Sequence, residues 1–325
     1  MEHILIVGSG SIGMRHVASV RALLPSARIS FLREFGRSTT SATLRPEFGL
    51  FRTLDEAISA RPDLVVIANP SAMHLRYVQA AIGAGIPFYI EKPVVTNKSD
   101  FEALRTTLAS GVRMPINMVG CNLRFLPSLA RVRDLLREKR IGRVVRASFE
   151  AGQWLPDWRP QQDYTKSYSA KVELGGGVLL DLIHEVDAAR WLLGEFSTVI
   201  GAIGKFSDLA IETEDTAGLI LHRPGGPITV IQLDYVSRIP VRKYKFVGDR
   251  GTIEWDLRRE QISLIDQHGI EEILAMDGDD FSVPWTYQAA MKEMFLAVAV
   301  GRPTSQPIEE GMAGLELIFS IKDAN

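Results

Sequence analysis

A single cysteine, Cys121, stands in 325 residues, so no disulfide within the chain holds its fold. A small buried apolar side chain is the ordinary role for it, a reactive thiol the other, and either fits a reducing compartment. Net charge is almost as scarce: 37 basic residues against 39 acidic leave −2. There is no overall field to gather nucleic acid or an anionic membrane, and no local basic stripe replaces it. Long apolar runs are missing too. Stretches such as Met294 to Val300 fall far below the ~18 residues that a membrane span requires. Met1-Glu2-His3 runs straight into Ile4-Leu5-Ile6-Val7 without the order of a secretory signal. The expectation is a cytoplasmic protein that binds neither nucleic acid nor membrane.

What is present is apolar mass, 46% of the residues, enough to bury two cores rather than one. The first 120 or so residues alternate short β-branched runs with amphipathic helices, the pattern of a parallel sheet wrapped by crossover helices. Ile4–Val7, Ala27–Leu32, Leu64–Ala68, Pro87–Ile90 and Ile116–Val119 are the strand candidates. Thr53…Glu56 and Ser99…Glu102 have the spacing of capping boxes that open helices. Beyond Val119 the rhythm changes. A helix is expected over Ser128–Glu138, a strand over Arg143–Glu150, an irregular aromatic stretch over Trp154–Tyr168, and one helix from the Gly175-Gly176-Gly177 triplet to Leu193-Gly194. Strand signals then dominate from Val199 to Leu274, and two helices close the chain.

Gly8-Ser9-Gly10-Ser11-Ile12-Gly13 begins one residue after a strand and leads into a helix, the context that separates a dinucleotide fingerprint from a plain βα turn. Gly8 would make the turn, Gly10 would let the backbone approach a pyrophosphate, and Gly13 would let helix and strand pack. The amides of Ser11, Ile12 and Gly13 would face the anion. Where an acid usually meets the ribose hydroxyls, the chain has Arg33-Glu34, then Arg37 and Ser38. A guanidinium suits a 2′-phosphate, so NADP is favoured over NAD; Glu34 keeps NAD open, and surface arginines are the other reading.

Asn69-Pro70 ends the third strand candidate, with His74 on the helix after it, and this loop is expected to face the cofactor. Glu91-Lys92-Pro93 ends the next strand, where Pro93 fixes the backbone as two opposite charges leave the strand tip. A solvated lysine is the bland alternative. Asn122 and Arg124-Phe125 follow near the expected domain boundary. In the segment Gly175–Asp187, a helix starting at Val178 would place Asp181, His184 and Asp187 three residues apart, so that either acid orients the imidazole. The alternative is a structural His184 beside Trp191, with Asp187 pairing Arg190.

These signals in this order resemble the Gfo/Idh/MocA (glucose-fructose oxidoreductase and inositol dehydrogenase) superfamily. The carriers are Gly8-x-Gly10-x-x-Gly13 with Arg15-His16, Asn69-Pro70 with His74, Glu91-Lys92-Pro93, Asn122-x-Arg124-Phe125, Gly175–Asp187, and Gly248-x-x-Gly251-Thr252-Ile253-Glu254. The resemblance implies an α/β fold: an N-terminal Rossmann domain, 1–121, and a C-terminal α/β domain, 122–325, with a large, mostly antiparallel open sheet serving substrate binding and oligomerisation. The last helix would pack back toward the first domain. A homodimer or homotetramer follows from the same likeness.

The resemblance also implies hydride transfer between nicotinamide and a hydroxyl or carbonyl carbon of a sugar or nucleotide-linked sugar. Lys92 would bond the reacting oxygen and His184 would exchange its proton. The cofactor would be held by the glycine loop with Arg33, Asn69, Pro70, His74, Glu91 and Lys92. One departure concerns the acid: Asp181-x-x-His184 replaces the family's Asp-x-x-x-His, a rotation of about 100° on a helix, which leaves Asp181 as His184's partner in doubt. Gly152–Ala170 is similar to a subgroup associated with surface-polysaccharide sugar pathways. Its Trp154, Trp158, Tyr164 and Tyr168 offer faces for a sugar, and Arg159 offers a guanidinium for an anionic group; a loop pinned by its own aromatics is the ordinary reading. Asn122, Arg124 and His184 complete the expected substrate contacts. No metal is implied, because no second histidine or cysteine accompanies Asp181, His184 and Asp187. Two other functions remain: a dinucleotide-sensing regulator without turnover, against which the retention of Lys92 and His184 argues, and a glycosidase that uses NAD for transient oxidation.

Overall fold

The computed structural model describes residues 1–33 and 47–324. Glu34, Arg37 and Ser38, named above as candidates around the ribose, lie outside the described residues.

Two compact units emerge. In the first, strands β1 (His3–Val7), β2 (Arg28–Leu32), β3 (Gly49–Phe51), β4 (Leu64–Ile67), β5 (Phe88–Ile90) and β6 (Asn117–Val119) form one parallel sheet in the order β3-β2-β1-β4-β5-β6. This is the order of a doubly wound dinucleotide-binding sheet, and it reverses direction between β1 and β4, where ligands of such sheets sit. Every residue of β1 and β4 is buried, as strands covered on both faces must be. Helices α1 (Ser11–Leu23), α2 (Leu54–Ser59), α3 (His74–Ala84) and α4 (Lys98–Ala109) connect the strands. The capping box at Thr53 and Glu56 is formed in full. The one expected at Ser99 is not: the Asn97 side chain accepts from the Asp100 amide at 2.8 Å and starts α4 earlier. Asn is at least as good a cap as Ser, and it stands first in the chain.

The second unit carries α5 (Pro127–Arg137) and an eight-stranded sheet: β7 (Val144–Gly152), β8 (Thr198–Gly204), β9 (Thr216–His222), β10 (Ile228–Asp234), β11 (Val241–Gly248), β12 (Gly251–Asp256), β13 (Gln261–Asp266) and β14 (Glu271–Leu274). The order is β14-β13-β12-β11-β7-β10-β9-β8, antiparallel throughout except for the β7–β10 pair. Alternation explains it. Phe149, Ile231, Leu233, Tyr244, Phe246 and Trp255 turn one face into a core. On the opposite face Glu254 lies between Lys243 and Lys245, at 2.8 and 2.6 Å.

Against the core face pack α6 (Val178–Asp181) and α7 (His184–Leu193). The sequence predicts one helix here. The structure breaks it at Leu182, which leaves the α region, and Val178, Leu179, Leu180, Leu182 and Ile183 are all buried. Asp181 and His184 thus belong to successive helices, and the rotation argument made from a continuous helix does not apply.

The last two helices are α8 (Val283–Val300) and α9 (Ile308–Ala324). Residues 284–312 group with the first unit rather than with the rest of 122–325, and the bonds explain why. The Val119 amide donates to the Gln306 carbonyl, Thr304 Oγ1 to the Asn117 carbonyl at 2.6 Å, and the Ile308 amide to Asn117 Oδ1 at 2.7 Å. The returning chain thereby covers the edge of β6, whose backbone groups would otherwise be unpaired. Among the described residues, no helix is long and apolar enough to cross a membrane.

Candidate functional site

Three loops leave the carboxyl ends of neighbouring strands β1, β4 and β5. After β1, Gly8 adopts φ +96°, and a Cβ there would stand 2.8 Å from the Ala68 carbonyl oxygen and the Asn69 Cα, so only glycine fits. A Cβ on Gly13 would run into the Gly8 carbonyl, whereas one on Gly10 would meet nothing within 4 Å. Gly10 is the N-cap of α1; no side chain caps it and no acid occupies the first turn, which leaves the amides of Ser11, Ile12 and Gly13 for an anion. After β4, Asn69 Oδ1 is buried without a hydrogen-bond partner, an acceptor in want of a donor. An open Gly10, an uncapped helix N-terminus and an orphaned amide oxygen on adjoining strands fit a dinucleotide.

Lys92 follows β5. It is half-buried, while Glu91 and Pro93 on either side are buried, and the Lys92–Pro93 peptide is cis. Two residues expected beside the cofactor prove to be wall instead. His74 is 0% exposed, its Nδ1 lies 2.9 Å from the Pro93 carbonyl oxygen and its Nε2 3.1 Å from that of Asn69. Burial first, against the pull of those carbonyls and Glu91, holds this imidazole below its ordinary value. It ties the Asn69 loop to the Lys92 turn. Glu91 accepts from His16 Nε2 at 2.7 Å, with His16 fully buried on α1 beside Tyr89 and Tyr287. That carboxylate braces α1 against the tip of β5. Pro70 is exposed; Arg33, half-buried, follows β2 just before the undescribed segment.

Asn122, expected to touch substrate, is 2% exposed and donates to Thr286 Oγ1 at 2.7 Å. It fastens α8 within the first unit.

In the second unit, His184 opens α7 and is half-buried, amid neighbours that are buried. Around it the acids are engaged. Tyr235 donates to Asp181 Oδ2 at 2.5 Å, and the Tyr168 phenol bonds the same carboxylate. Burial first, then Asp181, pushes both phenols well above their ordinary value. Asp187 receives Arg124 through Nε at 2.9 Å and Nη2 at 2.6 Å, with both side chains almost wholly buried. The guanidinium of Arg124 therefore braces α7 rather than standing open to a ligand, and Arg190 pairs with Glu195 instead of Asp187. Glu185, 0% exposed, accepts from Tyr244 at 3.0 Å and lies 2.8 Å from Arg242 Nε.

The aromatic stretch forms short 3-10 turns. Arg238 lies 3.5 Å above the Trp154 ring, Trp158 sets its edge to Tyr235, and the Tyr164 hydroxyl accepts from the Ala210 amide. Arg159 is exposed over the Tyr168 ring. Most of these rings anchor the loop, and Arg159 keeps an outward charge. Tyr235, Tyr244 and Thr286 carry no signal in the sequence, and His16 is marked there only as part of the motif after the glycine loop. Their partners lie 54 to 164 residues away, and no local spacing reveals them.

Comparison with known proteins follows the same division. A model of the oxidoreductase family with an NAD-binding Rossmann fold matches residues 3–114, and a GFO/IDH/MocA C-terminal domain matches 129–254. The chain belongs to the Gfo/Idh/MocA oxidoreductases. It is 27% identical to an inositol 2-dehydrogenase of Rhizobium meliloti over 96% of this chain and 93% of that one. To an inositol 2-dehydrogenase of Gluconacetobacter diazotrophicus it is 28% identical, over 59% of this chain and only about half, 54%, of the relative. Levoglucosan dehydrogenase in complex with NADH and levoglucosan superposes with a TM-score of 0.84 over 99% of this chain and 96% of that one. At 18% identity, that likeness concerns the fold.

Proposed function

We propose that this member of the family is an NAD(P)-dependent dehydrogenase of a CH–OH group on a sugar, cyclitol or related polyol, with Lys92 and His184 handling the proton. The observation that carries the reading is the Lys92 turn: a half-buried ammonium between buried neighbours, on the sheet edge that holds the open glycine loop and the orphaned Asn69 oxygen. The names of the relatives, inositol 2-dehydrogenase and levoglucosan dehydrogenase, point to the substrate class.

A bound nicotinamide supplies or accepts the hydride. Gly8, Gly10 and the amides of Ser11 to Gly13 hold the pyrophosphate, and Asn69 orients the cofactor through its Oδ1. The Lys92 ammonium donates to the substrate oxygen and stabilises the negative charge that builds there, while His184 takes or returns the proton. Asp181, held by two phenols, positions the start of α7. Arg33 favours NADP by meeting a 2′-phosphate. The second unit contributes His184 and the substrate-facing loop, and copies of the chain associate as a dimer or tetramer.

The test is a spectrophotometric screen of NAD(P)H formation with myo-inositol, levoglucosan and nucleotide-linked sugars. Turnover is expected with at least one of them. Lys92→Ala should lower it by about two orders of magnitude or more at nearly unchanged cofactor affinity, and Arg33→Asp should weaken NADPH more than NADH. No turnover of any sugar, or full turnover in Lys92→Ala, would remove the assignment.

A further inference from the structure

A cavity of about 180 Å³ opens wholly within the second unit, at the end of β7 and beside the linker between α6 and α7. Gln153, Trp158, Leu182, Arg242, Leu257 and Arg258 are among its lining residues, and no carboxylate is. It is smaller than the roughly 300–1,000 Å³ of pockets that enclose a whole ligand and has room for about six water volumes. One substituted edge of a sugar ring is the right size for it; a nucleotide is not.

The chemistry of the wall favours anionic oxygen. Trp158 supplies an aromatic side to the wall. Its ring is fixed edge-on to Tyr235 at 5.2 Å and 88°, and Tyr235 holds Asp181, so that side of the wall is tied to the framework of α6. Arg242 is steadied by Glu185, 2.8 Å from its Nε, and that carboxylate offsets its charge. Arg258 has no such offset: it is exposed, it forms no ion pair among the described residues, and its amide is pinned to Asp256 Oδ1 at 3.0 Å in the turn between β12 and β13. The wall therefore presents a net positive charge, a fixed aromatic side and an apolar floor of Leu182 and Leu257. Leu182 stands two residues before His184 in the chain.

We propose that this cavity is the subsite for an acidic substituent of the substrate, a carboxylate or phosphate carried on a pyranose-sized sugar, with Arg258 as its charged recognition group and the Trp158 ring as its fixed wall. The inference rests on the dehydrogenase reading for its substrate, but its own claim is about binding and is tested as such. Calorimetric titration of the full chain, with and without NAD(P)H, would use D-glucuronate, D-glucose 6-phosphate and D-glucose as probes. At least one acidic probe should bind about tenfold or more tightly than glucose, and which one does separates carboxylate from phosphate. Arg258→Glu, at an exposed position, should remove most of that preference without changing glucose binding, and Arg258→Lys, which keeps the charge, should retain part of it. Equal binding of all three probes, or acid binding unaltered in Arg258→Glu, overturns the subsite. Selective acid binding without turnover of any sugar would leave the subsite standing and the dehydrogenase reading refuted.

Discussion

The two units hold their candidate site residues by different means. In the first, Lys92 and Asn69 sit on loops set by the main chain: glycine turns, a buried His74 between two carbonyl oxygens, and short parallel strands with fixed ends. In the second, the helices on either side of the break at Leu182 are held by side chains from distant strands and turns. Tyr235 grips Asp181, Tyr244 and Arg242 grip Glu185, and Arg124 grips Asp187. A main-chain site tolerates most changes except those at its glycines, whereas a site built on buried charge fails when one partner goes.

The largest expected effect breaks the second kind of support. Asp187→Ala strands the Arg124 guanidinium, almost wholly buried, and should destabilise the protein by about 3–5 kcal/mol. Hydrogen exchange should show the loss across α7 and β7–β11 rather than in β1–β6. Next comes the glycine loop. Gly13→Ala forces a methyl into the Gly8 carbonyl and should cost about 1–3 kcal/mol, read as a lower melting temperature together with weaker dinucleotide binding. Gly10→Ala meets open space and should leave the melt unchanged while weakening the dinucleotide alone. A melt equally lowered by both would show that packing, not ligand approach, keeps glycine at 10.

The smallest effect concerns acid. Burial opposes ionisation of Asp215, yet bonds from the Phe206 amide at 2.9 Å, Ser207 Oγ at 2.6 Å, the Ser207 amide and Thr216 keep its carboxyl below the ordinary range. A depressed carboxyl stabilises the fold above its unfolded pKa, about 3.9, and that contribution is lost as the pH falls through the lower folded value. Asp215→Asn should therefore cost about 1–2 kcal/mol at pH 7, with the gap from wild type closing below about pH 4. Denaturant titrations at several pH values would measure it, and a gap independent of pH would contradict the hydrogen-bond account.

The same contrast decides what could be read from the residues alone. The glycine loop, the Thr53 cap, Glu91-Lys92-Pro93 and five of the six parallel strands are local patterns, and the structure has them within a residue or so. β3 was missed because three residues, Gly49-Leu50-Phe51, carry no periodicity. The break between α6 and α7 was missed because an all-apolar run reads as helix without showing where it stops. His74, Glu91 and Arg124 read as ligand-facing in the sequence because chain position marks a strand end but not which way a side chain turns; their buried partners on other segments decide that. Tyr235 sits beyond a strand end with nothing nearby to announce its bond to Asp181, 54 residues before it.

In the proposed reaction the Lys92 ammonium and the His184 imidazole serve one oxygen. The most direct test is a crystal structure with NAD(P)H and a sugar that the protein turns over. Lys92 Nζ and a His184 ring nitrogen should both lie within about 2.6–3.2 Å of the reacting oxygen. A complex in which either group lies beyond one bridging water of that oxygen would contradict it.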